Sequence, residues 1–172
     1  YRKHAEFLAG FGAKVISTCE IGGSPQFDPR LAGQGGGVRR LDAEGWRHLA
    51  DGLNEAGRIA KSLGLTLAYH HHGGTVVERP EEIDRLMELT DPAYVGLLYD
   101  TGHAVYGGAD PLEVLRKHRD RVVYVHLKDV RMPVLEKARD DGADFLECIR
   151  RGVFTLPGSG DPFGTAKCMK IA

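Results

Sequence analysis

The sequence predicts an α/β fold built on a parallel sheet, and three observations predict it. Short runs rich in β-branched and aliphatic residues alternate with segments of helical period. Those runs are close to continuously apolar, as strands buried on both faces are. The last three begin at 65, 95 and 122, one βα unit apart. No Gly-x-Gly-x-x-Gly or Walker-type loop occurs, so a nucleotide-binding doubly wound fold loses its best support.

Residues Tyr1 to Phe11 carry a helical pattern that Gly12 ends, and Ala13 to Glu20 reads as a strand around Val15, Ile16 and Thr18. Residues 21–40 form a loop with six glycines and two prolines that closes on the basic pair Arg39–Arg40. Loops of that length are commonly functional. Asp42 is placed to cap the next helix, where Trp46, Leu49, Leu53, Ala56, Ile59, Ala60 and Leu63 form one apolar stripe. Gly64 stops it. Leu65 to His72 is a strand whose end is all histidine. Pro80 opens a helix that buries Ile83, Leu86, Met87 and Leu89. Val95 to Asp100 is a buried strand, Asp110–Pro111 starts another helix, and Val122 to Lys128 is the last strand. His4, His48 and His118 fall in helices and are expected to be solvated.

Composition excludes several classes. With 23 Lys+Arg against 24 Asp+Glu the net charge is −1, which gives no electrostatic case for nucleic acid or an anionic membrane. No run of eighteen apolar residues exists to span a bilayer, and no charged-then-apolar leader opens the chain. Cys19, Cys148 and Cys168 are odd in number and lack a Cys-x-x-Cys spacing, which fits a reduced, cytoplasmic setting.

Most of the eight histidines fall between His70 and His126. Glu20, His70–His72, Asp100 and His126 all lie at or near the C-terminal ends of the strands, the face that holds the active site in a β/α barrel. His70 and His72 point one way along their strand and His71 the other. Imidazoles and carboxylates meeting from several strands suit a Zn, Mn, Co or Fe ion. Such an ion is a Lewis acid for the carbonyl and hydroxyl oxygens of a sugar-like substrate. Each residue also has a purely structural reading. Asp100–Thr101–Gly102–His103 is a turn that its Asp can cap, Glu20 a partner for Arg39 or Arg40, and Lys128 an ion-pair partner of Asp129 or a neighbouring carboxylate. Four successive strand ends with such chemistry favour the site.

The block Tyr69-His70-His71-His72-Gly73-Gly74-Thr75-Val76-Val77-Glu78 resembles the inosose dehydratases, of the xylose-isomerase-like group of sugar isomerase and epimerase barrels. The similarity continues through Glu82–Met87, Leu97–His103, Val125–Arg131 and Gly152–Gly158. It implies a partial (β/α)8 TIM barrel, about the fourth to seventh strands. It also implies dehydration of 2-keto-myo-inositol to a trihydroxycyclohexane-dione in inositol catabolism, with Mn or Co as the metal. The group holds its ion with Glu, Asp, His and Glu. Here His70 stands at the first position, Asp100 at the second and His126 at the third. His72, His103, Glu78 and Arg131 are then expected at the substrate. His70 or Glu20 are candidate bases, and His72 or His103 candidate acids. Lys128 could neutralise an oxyanion if the backbone bends there.

Two departures stand out. His70 replaces a carboxylate that serves isomerases and epimerases as a base. Residues Asp161–Ala172 do not align with the group, so the chain divides into a barrel segment, 1–160, and a tail, 161–172. A complete barrel needs about 250 residues, which marks this chain as a fragment with two open sheet edges. The rivals are an isomerase or epimerase of the same group acting on ketoses, and a non-catalytic remnant. A metal-dependent endonuclease is disfavoured by the charge. The expected partner is a small polyol or cyclitol, with no nucleic acid and no membrane; a homo-oligomer that completes the barrel is a further option.

Overall fold

In a computed structural model, residues 1–22, 24 and 40–160 are described. Expectations for most of the 21–40 loop and for the 161–172 tail fall outside these residues. Four strands, β1 (Val15–Thr18), β2 (Thr66–His70), β3 (Val95–Asp100) and β4 (Val122–His126), form one parallel sheet in the order β1-β2-β3-β4. Consecutive parallel neighbours joined by helices are successive βα units, as in part of a β/α barrel. The helices are α1 (Arg2–Gly10), α2 (Ala43–Ser62), α3 (Pro80–Leu89), α4 (Thr101–Tyr106), α5 (Pro111–His118), α6 (Met132–Asp140) and α7 (Phe145–Arg150). A two-stranded antiparallel ribbon, β5 (Asp129–Val130) with β6 (Phe154–Thr155), forms a separate sheet beside α4.

Local chemistry accounts for most boundaries. Asp42 caps α2 by accepting the Gly45 N–H at 2.8 Å, and Pro80 and Pro111 occupy first helical turns, where the missing N–H costs nothing. The stripe read from the sequence turns Trp46, Leu53 and Ala60 into the core, with Leu49, Ala56 and Leu63 packed beside them. β3 is buried at all six positions, as expected for a central parallel strand. β4 departs from that expectation. Val123, Tyr124 and Val125 are 39–48% exposed, because among the described residues β4 pairs only with β3. At the opposite end of the sheet from the histidines, Arg121 donates to the carbonyls of Met87 (2.7 Å) and Val95 (2.8 Å) and to Thr90 Oγ1 (3.0 Å). That guanidinium ties the end of α3 to the starts of β3 and β4.

Four further readings change. Leu89, expected on the buried face of α3, is 44% exposed at the end of that helix. The strands are shorter than the apolar runs, because the residues after Thr18, His70 and His126 leave the sheet to form loops at its C-terminal edge. The Asp100–His103 turn continues as α4. His118 is buried rather than solvated, and its Nε2 lies 2.7 Å from Asp84 Oδ1, while Lys117 reaches Asp84 Oδ2 at 2.7 Å.

Two glycines of α2 separate propensity from packing. A Cβ on Gly52 would meet nothing within 4 Å, whereas one on Gly57 would stand 2.3 Å from the carbonyl oxygen of Tyr94. Helix propensity favours Ala at both by about 1 kcal/mol. At Gly57 the obstacle is backbone, and the cost of overpacking, about 3 kcal/mol, exceeds the propensity gain. Urea midpoints are expected to rise for Gly52→Ala and fall for Gly57→Ala.

Candidate functional site

The strand ends converge on Asp100, whose side chain is fully buried. Register puts it there: Asp100 pairs with His126 across β3 and β4, and β2 ends beside it at His70. Oδ1 caps α4 by accepting the His103 N–H at 3.0 Å. Oδ2 lies 3.3 Å from His70 Nε2, 3.3 Å from His126 Nδ1 and 4.0 Å from His103 Nε2, and it forms an ion pair with Lys128. Burial alone would raise the carboxyl's pKa. The hydrogen bond from His70, the His103 ring beside it and the Lys128 ammonium overcome that and hold it far below the ordinary carboxylate range.

The imidazoles form one cluster, in which His70 meets its neighbours edge-on. The rings of His72 and His103 have centroids 3.7 Å apart, and His70 lies 4.9–5.3 Å from those of His72, His103 and His126. Burial lowers His72 to about 4, His103 to about 2 and His126 below its usual value. These rings are therefore neutral near pH 7, the form that offers a lone pair.

Hydrogen bonds assign two tautomers. His103 Nδ1 accepts the Gly73 N–H at 3.1 Å, so the proton of its neutral ring sits on Nε2. His72 Nδ1 faces the Gly73 carbonyl at 2.9 Å and must donate, which leaves a lone pair on Nε2. His71 points to the other side, as alternation requires, and is buried. Its Nε2 accepts the Asp100 N–H at 3.2 Å, while Nδ1 has no hydrogen-bond partner among the described residues. Burial lowers its pKa to about 3.

The residues expected at the site do not all reach it. Glu20 sits at the end of β1, where its Oε1 accepts the Gly22 N–H at 2.6 Å. Arg40, offered as its partner, pairs instead with Glu82 and Glu78. Glu78 accepts the Gly74 N–H at 2.5 Å, so it braces the loop after His72, and burial raises its pKa. Arg131 donates to the carbonyls of Gly152 (2.6 Å) and Phe154 (3.3 Å) and clasps the β5–β6 ribbon. Lys128 does reach Asp100, because β4 ends at His126 and the chain turns.

Sequence reasoning missed two groups of residues. Glu82 Oε2 accepts the N–H groups of Glu78 (2.9 Å) and Arg79 (2.8 Å), an N-terminal capping arrangement legible in the three-residue spacing from Arg79. Phe145 and Phe154 wall the imidazoles, with Phe145 5.1 Å from His72 and Phe154 5.3 Å from His103. No local pattern marks them. The thiols of Cys19 and Cys148 are pushed up by burial, Cys19 to about 11, so neither is a ready nucleophile.

The donor set fits a divalent ion. Ligand atoms of His70, Asp100 and His103 lie within 4.8 Å of one another, and His126 adds another nitrogen beside Asp100. Mixed imidazole and carboxylate donors around an ionised, buried carboxylate are what Zn, Mn, Co and Fe accept. Among the described residues, no helix is long and apolar enough to cross a membrane.

Comparison with known proteins agrees with this geometry. An inosose dehydratase of Geobacillus kaustophilus (strain HTA426) is 54% identical over 160 residues, covering 93% of this chain and 52% of that one. One from Clostridium perfringens (strain 13 / Type A) is 48% identical over 166 residues, covering 92% and 53%. The chain thus spans about half the length of the curated relatives it matches. Among solved structures, a sugar phosphate isomerase/epimerase from Parabacteroides distasonis ATCC 8503 superposes with a TM-score of 0.58 at 20% identity, over 84% of this chain and 52% of that one. The IOLI protein, solved with a binding zinc atom, gives 0.57 at 18% identity, over 76% and 43%. Both share the fold. Residues 1–169 match the Xylose isomerase-like TIM barrel family, and the chain belongs to that family.

Proposed function

We propose that this chain carries the metal and acid–base residues of an inosose dehydratase. In this reading it removes water from 2-keto-myo-inositol to give a trihydroxycyclohexane-dione, as a cytoplasmic step of inositol breakdown. The observation that carries the reading is the set of three imidazoles, His70, His103 and His126, facing one buried, ionised Asp100, with the His72 ring against His103. The identity to inosose dehydratases supports the choice of substrate.

His70 Nε2, Asp100 Oδ2 and His126 Nδ1 would hold the ion, Mn or Co. His103 is assigned elsewhere because its Nε2 lies farther from Asp100 Oδ2, 4.0 Å against 3.3 Å for His70 and His126, and its Nδ1 is taken by the Gly73 N–H. Three protein ligands leave positions open for substrate oxygens. When bound, the ion would polarise the ketone oxygen and acidify the neighbouring C–H.

The chain's own residues then move one proton. His72 Nε2 takes the proton from the carbon beside the ketone, and the electron pair left behind forms a C=C bond as the next carbon's C–O bond breaks. His72, now an imidazolium of low pKa, gives that proton to the departing hydroxyl, which leaves as water. The enol that remains tautomerises to the dione. His103 Nε2–H stays neutral and donates a hydrogen bond to a substrate oxygen, the role of an uncharged imidazole electrophile. Phe145 and Phe154 exclude water on one side. Substituting His70 for a carboxylate removes the usual proton-transfer base of isomerases, which agrees with elimination rather than epimerisation.

Mn or Co added to the chain with 2-keto-myo-inositol is expected to produce ultraviolet absorbance from the dione. A chain that binds metal and epimerises ketoses, but leaves the inosose unchanged, would replace this reading with the isomerase one.

A further inference from the structure

The motifs Asp100–His103 and His126–Asp129 interlock. Thr101 is fully buried, and its Oγ1 donates to the Lys128 carbonyl at 2.7 Å while accepting the Lys128 N–H at 2.9 Å. Gly102 leaves room for this approach, since a Cβ there would stand 2.7 Å from Lys128 Cβ. The Lys128 backbone is thus held against the first turn of α4. From that seat its ammonium reaches Asp100 Oδ2, the oxygen that also faces His70 and His126. Two cations therefore have a claim on one oxygen. Asp100 is fully buried and fixed by its cap to His103, whereas the Lys128 side chain is 33% exposed. The lysine is the partner that is able to leave.

We propose that Lys128 is a resident counter-ion of Asp100 that a divalent ion must displace, so that this lysine sets the affinity of the site for metal. The inference rests on the metal reading above. A carboxylate buried without a counter-charge is costly, and Lys128 meets that cost in the metal-free chain. Once an ion sits on Asp100, the nearby ammonium is a like charge and is driven outward. Both effects oppose metal uptake, so removing the charge must tighten it. Thr101 and Gly102 act as positioning residues, because they hold the competitor in reach.

The test begins with calorimetric titration of Mn2+ into the metal-free wild-type chain and its Lys128→Met and Lys128→Arg variants. Lys128→Met, which keeps an unbranched stem, is expected to bind Mn2+ about tenfold more tightly, and Lys128→Arg no more tightly than wild type. The second arm needs no variant. Amine acetylation of the wild-type chain, read by peptide mass spectrometry, is expected to modify Lys128 several times faster at saturating Mn2+ than without it. Either a Lys128→Met affinity at or below wild type, or Lys128 labelling that Mn2+ leaves unchanged, overturns the proposal. If Lys128→Met fails to fold, the labelling decides alone. A wild-type chain that takes up no Mn2+ overturns the metal reading itself and this inference with it.

Discussion

Asp100→Asn is expected to abolish metal uptake while the chain stays folded. Asn matches Asp in shape and serves equally well as an N-cap, so the bond from the His103 N–H to the side-chain oxygen survives. What changes is Oδ2. An amide there presents N–H to His70, His126 and Lys128, where a carboxylate presented a full negative charge. Loss of groups that merely orient a ligand costs 10–100-fold in metal affinity, and loss of a ligand itself is expected to cost more than about 100-fold. Stability should fall as well. Removing one partner of a buried ion pair costs about 3–5 kcal/mol. Lys128 is partly exposed and regains water, so about 1–3 kcal/mol is the reasoned loss. Calorimetric Mn2+ titration beside a thermal melt reads both effects. Wild-type affinity in Asp100→Asn would show that Asp100 is no ligand.

Gly107→Ala is expected to destabilise the fold strongly although it adds only one methyl group. The backbone at Gly107 is ordinary, with φ −71° and ψ −4°, so no left-handed conformation protects this glycine. Space does. A Cβ would stand 2.0 Å from the Glu78 carbonyl oxygen, 2.9 Å from its carbon and 3.3 Å from the His103 carbonyl oxygen. All three are backbone atoms that no rotamer change can move. The contact joins the end of α4 to the end of the loop after β2, the two segments that hold His103 against His72. Inserting a methyl group into such a contact costs about 3 kcal/mol or more. It also pries apart rings whose centroids are 3.7 Å apart. The urea midpoint is expected to fall accordingly. Turnover measured well below the unfolding transition should fall further than the folded fraction. An unchanged midpoint would mean that the two loops are not in contact.

Much of the fold is legible residue by residue. Asp42, Pro80 and Pro111 mark helix starts because their effects are local: a side-chain acceptor for an orphan N–H, or a ring with no N–H to satisfy. The periods of Trp46 to Leu63 and of Ile83 to Met87 name the buried helix faces, because helix geometry repeats whatever the rest of the chain does. The site's location is legible for a similar reason. Glu20, His70, Asp100 and His126 end successive apolar runs, and a parallel sheet must bring successive strand ends to one edge.

The sequence by itself therefore determined the order of elements, their buried faces and the edge on which the polar residues gather. Only the tertiary structure decided which of those residues meet. Glu20 lies on that edge yet turns to the Gly22 N–H, Arg131 clasps the β5–β6 ribbon, and His118 is buried against Asp84. Lys128 reaches Asp100 because Thr101, 27 residues earlier in the chain, holds both its N–H and its carbonyl. Phe145 and Phe154 join His72 and His103 without any pattern in their own neighbourhoods. The physical reason is one of range. Helix caps and periods depend on neighbours within a turn or two. The partner of a charge depends on strand register and loop closure, which bring together residues far apart in sequence.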